Sequence, residues 1–322
     1  MLVRGEALTA EAGYGIKVRL IKYTEDGERL IAASARLSLS RKPLDSLLSM
    51  PDEEVETWIR ETLVRGHFSP WEHSSYTWIV EGCTRVCSHQ LVRHRIASYT
   101  QQSMRYTEGV LRDAALKAAG ILGLECPLKP GKTQVSMRRA FRCYYEALSR
   151  GALELTGEEL YDLMWGAFLI PYRRGSEEAS AAALQATASA ALYYKLLSNG
   201  ISKEDARFVL PLMVRTRIIV TMNARELIQS FLPLRLCTRA QWEIRRVAWA
   251  LLSVLNSVHP RLFRYAGPRC VLQENLQRGR PATLKELIEG EEEFTINYCP
   301  ERIPRRGIRG CLLSAFRTLE RR

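Results

Sequence analysis

The sequence predicts a mixed α/β protein in which long helices outnumber the strands of a minor sheet. Residues 15–23 and 75–82 are β-rich and alternate in polarity, as half-buried strands do. Several longer stretches carry apolar residues at helical spacing between start and stop signals. With 322 residues, 46% of them hydrophobic, the chain can bury a sizeable core in one large domain or two ordinary ones.

The strands and the first helix have clear local signals. Tyr76, Trp78 and Val80 alternate along the second strand and predict its buried face. Residues 51–66 begin with proline and early acids and end at glycine, which favours a helix whose dipole is stabilised by its own charges.

Further helices are predicted along the middle of the chain. Residues 135–151 and 158–171 are helical in pattern and stop at Gly151 and Pro171. Residues 176–200 form an alanine-rich stretch that ends at Asn199 and Gly200. Two N-caps follow: Ser202, with Asp205 at the reciprocal position, and Thr238, which opens a helix through Val258.

The charge is strongly basic, with a formal net charge of +12 and a pI near 9.5. A basic surface attracts nucleic acid or small phosphorylated ligands, and charge alone does not separate them. Part of the excess lies in the last 22 residues, which we interpret as a solvated basic extension. The helical pattern weakens near residues 266–270, so we place a domain boundary there, dividing residues 1–267 from residues 268–322.

Eight cysteines are diluted through a long chain that has no Cys-x-x-Cys motif and no secretory signal. Reduced thiols are therefore expected, and no metal site is predicted. No apolar run reaches bilayer length, so we expect a cytoplasmic protein without a membrane partner.

Glycine-rich phosphate loops are absent from the sequence. Residues 126–133 end in Gly-Lys-Thr, but Cys126 stands where a P-loop needs glycine, and Pro127 and Pro130 lack the N–H groups that cradle phosphate. No G-x-G-x-x-G motif follows a strand. A bound nucleotide must therefore be held by side chains.

One cationic segment has the composition for that task. Residues 82–107 contain no acid, so Arg85, Arg93, Arg95 and Arg105 have no local carboxylate. Guanidinium groups match phosphate oxygens with paired donors and keep their charge when partly buried. We interpret the segment as an anion site rather than as a solvated helix face, because solvated faces normally mix both signs.

The same segment resembles a known family. Residues 93–103, RHRIASYTQQS, are similar to the signature of the flavin-dependent thymidylate synthases. Residues 66–73 (GHFSPWEH), 200–211 (GISKEDARFVLP) and 221–245 (TMNARELIQSFLPLRLCTRAQWEIR) resemble further family blocks in the right order. The resemblance covers residues 18–267 and identifies them as the catalytic domain.

The resemblance implies an enzyme that makes dTMP from dUMP with 5,10-methylenetetrahydrofolate as carbon donor, NADPH as reductant and FAD as relay. It also implies an α/β (α+β) fold, with a central, mostly antiparallel sheet surrounded by helices. The family assembles as a homotetramer with its sites between subunits. It works without a protein adduct, so no cysteine needs a catalytic role.

Site residues carry over by position. The resemblance implies FAD contacts at Ser69, Arg93, His94, Arg95, Gln101, Asn223, Arg225 and Gln229. It implies dUMP contacts at Gln90, Arg93, Gln101, Ser103, Arg105, Arg207 and Arg235.

Two of these positions bear on mechanism. Arg235 corresponds to the arginine that stabilises uracil ionised at N3, a role that raises electron density at C5. Ser103 has no histidine or carboxylate near it in sequence to act as a base, which favours binding over nucleophilic attack.

The sequence departs from the family in three places. Gln101 stands where many members have glutamate, and an amide cannot act as a carboxylate. One extra residue lies between Asn223 and Arg235, so the flavin contact in that helix is either Gln229 or Ser230. Residues 269–322 have no counterpart that we can place, and the choice between NADPH and NADH stays open.

Two alternative functions remain. A nucleic-acid-binding protein would explain the charge, but Tyr99 and Tyr106 are the only aromatic residues in the cationic segment. A flavoprotein of this fold without thymidylate activity is the other. Retention of Arg93, Arg105, Arg207 and Arg235 together argues against it.

Overall fold

The structure is a computed structural model that describes residues 8–320. The chain divides into two compact units. The first takes in the residues up to Gly82, His89–Thr100 and the residues from Ile218 onward. The second consists of Cys83–Ser88 and Gln101–Arg217. This division by contacts is separate from the functional boundary at residue 267, which stays a prediction.

A five-stranded antiparallel sheet carries the family's α/β architecture, in the order β1-β2-β3-β5-β4. Val18 of β2 pairs with Ala10 of β1 and with Val80 of β3, both antiparallel. Tyr76, Trp78 and Val80 are buried, so both predicted strands and their inner face are confirmed. The strands are β1 (Thr9–Gly13), β2 (Ile16–Tyr23), β3 (Ser75–Thr84), β4 (Ser98–Gln101) and β5 (Arg215–Asn223).

Helices make up most of the remaining regular structure. They are α1 (Gly27–Leu37), α2 (Leu44–Leu48), α3 (Asp52–Val64), α4 (Arg85–Leu91), α5 (Gly109–Ile121), α6 (Gln134–Glu154), α7 (Gly157–Met164), α8 (Glu177–Ser198), α9 (Lys203–Ala206), α10 (Ala224–Glu226), α11 (Leu232–Arg235), α12 (Trp242–Val258), α13 (Pro260–Phe263), α14 (Arg269–Gln277), α15 (Leu284–Glu289) and α16 (Arg305–Phe316). The predicted α3 and α8 are confirmed, as is the Ser202 cap, whose hydroxyl accepts the Asp205 N–H at 3.1 Å.

Three predicted helix ends are wrong. Helix α6 continues through Gly151 to Glu154, because the buried Gly151 packs near Ala118 of α5 inside the helical core and does not end the helix. Helix α7 ends at Met164, because the chain then turns and Phe168 forms a β-bridge with Val214. Helix α12 is capped by the Gln241 side chain and begins at Trp242, four residues after the predicted cap.

The second unit has its own helical core. Helices α5 to α8 bury apolar side chains between them, and the small residues of α8 let it pack closely against α6 and α7. A disulfide joins Cys126 to Cys143, with 5.6 Å between the Cα atoms. The expectation of reduced thiols is therefore wrong for this pair, and the other six cysteines are free.

The C-terminal residues fold against the first unit. Helix α16 buries Ile308 and Leu312, so the interpretation of a solvated extension is wrong for its described part. The buried Arg246 of α12 donates to the backbone carbonyls of Ala12, Thr318 and Leu319. One guanidinium thus holds both the first strand and the end of the chain.

Candidate functional site

A helix with a π-helical turn follows β5 in the first unit. It consists of α10, a π turn at Leu227–Phe231 and α11. The Asn223 side chain caps it by accepting the Glu226 N–H at 2.9 Å. Within the turn the Leu232 N–H donates to the Leu227 carbonyl, five residues back. A π turn takes up one residue more than an α turn, and this one lies between Asn223 and Arg235, where one extra residue is predicted.

His94 lies at the centre of a polar cluster in the first unit, which it forms with Glu226, Ser230 and Arg235. Only 3% of its surface is exposed. Its Nε2 accepts from the Arg235 Nε–H at 2.9 Å, and a guanidinium only donates. The ring's proton therefore lies on Nδ1. That nitrogen faces Glu226 Oε1 at 3.2 Å and Ser230 Oγ at 3.1 Å, so the imidazole is neutral and donates to a buried carboxylate.

Arg235 is held from two directions. Besides its bond to His94, its Nη2 donates to the Gln90 carbonyl at 3.0 Å. The Tyr99 hydroxyl donates to the carbonyls of Leu91 and His94, at 2.8 and 2.6 Å, and so fixes the loop that carries the histidine. Burial raises the pKa of Tyr99 well above its usual value, which keeps the hydroxyl a donor. The guanidinium is therefore oriented by the protein's own groups.

Arg93 and Arg95 flank the buried histidine and are both exposed. Within residues 8–320 neither guanidinium has a hydrogen-bond or ion-pair partner from a side chain. Exposed guanidiniums without a carboxylate partner are free to bind an anion. The arrangement fits a dinucleotide whose phosphates are held by side chains, as the missing glycine loop requires.

The other positions of the first unit that are predicted to contact flavin lie on two turns. Ser69 begins an exposed 3-10 turn, Ser69–His73. Arg225 forms an ion pair with Glu72 of that turn and donates to Gln229 Oε1 at 2.8 Å. Gln229 is thus on the exposed side of the π turn and Ser230 on the side of His94, so the structure leaves the choice between them open.

The second unit contains the remaining predicted positions. Gln101 Nε2 donates to Ser88 Oγ at 2.8 Å and lies 3.3 Å from Thr216 Oγ1, as an amide in place of a carboxylate can. The Ser103 hydroxyl accepts the backbone N–H of Arg105 at 3.2 Å. In these contacts the Ser103 hydroxyl acts as an acceptor and the Gln101 amide as a donor.

Arginines also gather in the second unit. Arg105 pairs with Glu204 at 3.0 Å, a carboxylate distant in sequence and exposed, so this pair contributes little stability. Arg207 donates to the Glu204 carbonyl at 3.1 Å. Burial, and then the charge of Arg207, lower the pKa of Arg85. Like charges this close favour a bound anion.

The structure brings the predicted residues together in two groups. The first unit holds Ser69, Gln90, Arg93, His94, Arg95, Asn223, Arg225, Gln229 and Arg235, and the second holds Gln101, Ser103, Arg105 and Arg207. The sequence analysis did not single out Glu226, although an acid in a block of apolar residues must find a partner when it is buried. That signal was present in the sequence.

Residues 8–320 contain neither a cluster of metal ligands nor a membrane-spanning helix. No group of three or more His, Cys, Asp or Glu side chains there is arranged to hold a metal ion. No helix in this part of the chain is both long enough and apolar enough to cross a membrane.

Comparisons with known proteins agree with the signature. The family model described as thymidylate synthase complementing protein matches residues 19–261. A flavin-dependent thymidylate synthase of Aeropyrum pernix is 55% identical over 310 residues, covering 95% of this chain and 94% of that one. That of Sulfurisphaera tokodaii is 39% identical over 95% of this chain and 99% of its own. Matches this long include most of residues 268–322, so the C-terminal segment has counterparts after all.

Solved structures show the same fold. The flavin-dependent thymidylate synthase of Helicobacter pylori, solved with FAD and dUMP, superposes with a TM-score of 0.52 at 22% identity. The match covers 78% of this chain and 99% of that one. Together with the family model and the archaeal relatives, it shows that this chain belongs to the flavin-dependent thymidylate synthases.

Proposed function

We propose that this chain converts dUMP to dTMP, with FAD as bound cofactor, 5,10-methylenetetrahydrofolate as carbon donor and NADPH as reductant. The observation that carries the activity is the 55% identity to a flavin-dependent thymidylate synthase over nearly the whole chain. The Helicobacter pylori structure with FAD and dUMP supports the choice of cofactor and nucleotide.

FAD would be held mainly by side chains. The unpaired guanidiniums of Arg93 and Arg95 supply donors for its phosphates, and Ser69, Asn223, Arg225 and either Gln229 or Ser230 supply further polar contacts. His94 and Gln101 belong to the same proposed set, although protein partners occupy both side chains in this structure. When bound, the flavin accepts hydride from the nicotinamide and passes reducing equivalents to the transferred carbon.

dUMP would be recognised by polar and cationic side chains. The proposed contacts are Gln90, Arg93, Gln101, Ser103, Arg105, Arg207 and Arg235. The arginines offer phosphate donors, and the amides and hydroxyl offer hydrogen bonds to the base. Ser103 is assigned a binding role in this proposal, because no histidine or carboxylate lies near it in the sequence to act as a base.

Arg235 is the proposed catalytic residue. An arginine beside the base stabilises uracil as the N3 anion, which raises electron density at C5, the atom that attacks the one-carbon unit. The bonds to His94 and Gln90 orient the guanidinium in advance, so little reorganisation is needed as charge develops.

The assembly is proposed to be a cytoplasmic homotetramer with its sites between subunits. Consecutive side chains at Arg93, His94 and Arg95 alternate between exposed and buried, which suits contacts to different partners. Sedimentation of a monomer that still binds FAD tightly would contradict this part of the proposal.

The test of the function starts from the purified protein. We expect it to be yellow, to lose flavin absorbance with NADPH, and to form dTMP only when dUMP and methylenetetrahydrofolate are both added. NADH in place of NADPH tests the nicotinamide preference. A colourless protein that cannot be reconstituted with FAD would overturn the proposal, and a reducible flavin without dTMP would leave the flavoprotein alternative.

A further inference from the structure

Glu226 and Arg235 lie nine residues apart on one helical segment and contact the same imidazole. In an uninterrupted α-helix, nine residues advance about 900°, which places the two side chains on opposite faces. The π turn at Leu227–Phe231 takes up one residue, so the advance corresponds to eight residues, about 800°, and the offset falls to about 80°. The turn is what allows both side chains to reach His94.

Glu226, His94 and Arg235 form a chain of hydrogen bonds, and the residues at its two ends fix the direction of each bond. Arg235 only donates, and the Glu226 carboxylate, 6% exposed, only accepts. His94 between them must carry its proton on Nδ1. The opposite tautomer would direct an N–H at the guanidinium and would leave a buried carboxylate without its donor, which is costly.

We propose that Glu226 is a positioning residue for Arg235. Its carboxylate holds His94 in the Nδ1–H tautomer, and the unprotonated Nε2 then holds the Arg235 guanidinium in the orientation that nucleotide activation requires. The role in activation rests on the proposed function, whereas the tautomer and the contacts do not. Ser230, at the same ring nitrogen, supplements the carboxylate.

The first test is spectroscopic and needs no activity. With five histidines in the chain, ¹⁵N-histidine labelling and a His94→Gln variant for assignment resolve the ring of interest. We expect a protonated Nδ1 and an unprotonated Nε2 in the wild-type protein. In Glu226→Gln, His94 should no longer occupy the Nδ1–H tautomer alone, because the glutamine amide can present either an acceptor or a donor. A protonated Nε2 in the wild-type protein would overturn the proposal.

The second test measures turnover of the FAD-loaded enzyme. Glu226→Gln should lower kcat at saturating dUMP by about tenfold or more, the scale of losing a partner that orients a catalytic group, with a smaller change in KM. Flavin reduction by NADPH and the melting temperature should stay near wild type. Glu61→Gln, an exposed carboxylate of α3 in the same unit, is the matched control and should leave all four unchanged.

A double variant separates positioning from a general structural effect. If Glu226 acts through Arg235, adding Glu226→Gln to Arg235→Lys should change the remaining kcat by less than about twofold. A full additional tenfold loss, or a Glu226→Gln enzyme with wild-type kcat, would overturn the inference. If the wild-type protein makes no dTMP, the proposed function fails while the tautomer measurement still stands by itself.

Discussion

The Nε–H of Arg235 donates to Nε2 of His94 at 2.9 Å, so a catalytic candidate is held by the histidine of the family signature. Arg235→Lys keeps the charge but replaces a planar fork with a mobile, strongly hydrated ammonium. We expect the variant to bind FAD and to be reduced by NADPH, whereas dTMP formation falls about a hundredfold or more. Flavin reduction and dTMP formation, measured separately at saturating dUMP, check this expectation.

Arg207→Lys is the matched comparison for that variant. If Arg207 only binds phosphate, a lysine ammonium preserves much of the attraction, and raising dUMP should restore most of the rate. Near-normal dTMP formation by Arg235→Lys would refute its role as the stabiliser of the uracil anion.

Ser103→Ala tests whether the hydroxyl binds or attacks. The Ser103 hydroxyl accepts the Arg105 backbone N–H, and we expect its loss to raise KM for dUMP by about tenfold while turnover stays measurable. Steady-state kinetics and dUMP titration of the flavin absorbance separate the two effects. Complete loss of dTMP with FAD and dUMP still bound would favour a nucleophile instead.

The Cys126–Cys143 disulfide should contribute to stability. The bridge closes a loop of 17 residues, for which chain entropy predicts about 3 kcal/mol. The midpoint of unfolding by guanidinium chloride should therefore lie at a lower denaturant concentration in a Cys126→Ser/Cys143→Ser protein. The same shift is expected for the wild-type protein in dithiothreitol. The double variant should not respond to the reductant. Eight titratable thiols in the unreduced, unfolded protein would rule the bridge out.

His259 should make folding stability depend on pH. Burial lowers its pKa below the ordinary 6.5, and its ring is held by the Tyr76 hydroxyl at 2.7 Å and the Glu25 carbonyl at 3.1 Å. The unfolded chain therefore binds a proton at a higher pH than the folded one. The stability from neutral His259 is complete above about pH 6.5 and is lost as the pH falls below it.

Thermal melts between pH 7.5 and 5 measure this effect. We expect His259→Gln to flatten the pH dependence, and the exposed His89→Gln to leave it as in wild type. Equal slopes for His259→Gln and wild type would assign the pH dependence to other groups.

Strong local signals explain which parts of the fold were predictable. Strands β2 and β3 alternate, and α3 and α8 carry caps or high propensity, so period and end signals sufficed. Strand β5 was missed, because its role depends on partners far away in sequence. The end of α7 was missed for the same reason: the bridge between Phe168 and Val214 overrides a helical pattern.

The residues of the candidate site also differ in how far the sequence predicts their contacts. The acid-free segment predicts that Arg93 and Arg95 have no local carboxylate, and within the described residues neither forms an ion pair. Glu204 was not foreseen as a partner of Arg105, nor Glu226 as a partner of His94, because each pairing spans about a hundred residues or more. The sequence predicts one extra residue before Arg235, whereas the π turn at Leu227–Phe231 is seen only in the structure.

The hydrogen bonds from Arg246 to the carbonyls of Ala12, Thr318 and Leu319 have a consequence for truncation of the protein. In a protein truncated after residue 267, the buried Arg246 guanidinium would lose the carbonyl acceptors of Thr318 and Leu319. Of the three acceptors, only the Ala12 carbonyl of β1 would remain. Burial already lowers the pKa of Arg246, so the charge is poorly solvated and depends on those acceptors. Opening of strand β1 and opening of the turn at Thr318–Leu319 are therefore coupled, because the same guanidinium binds both.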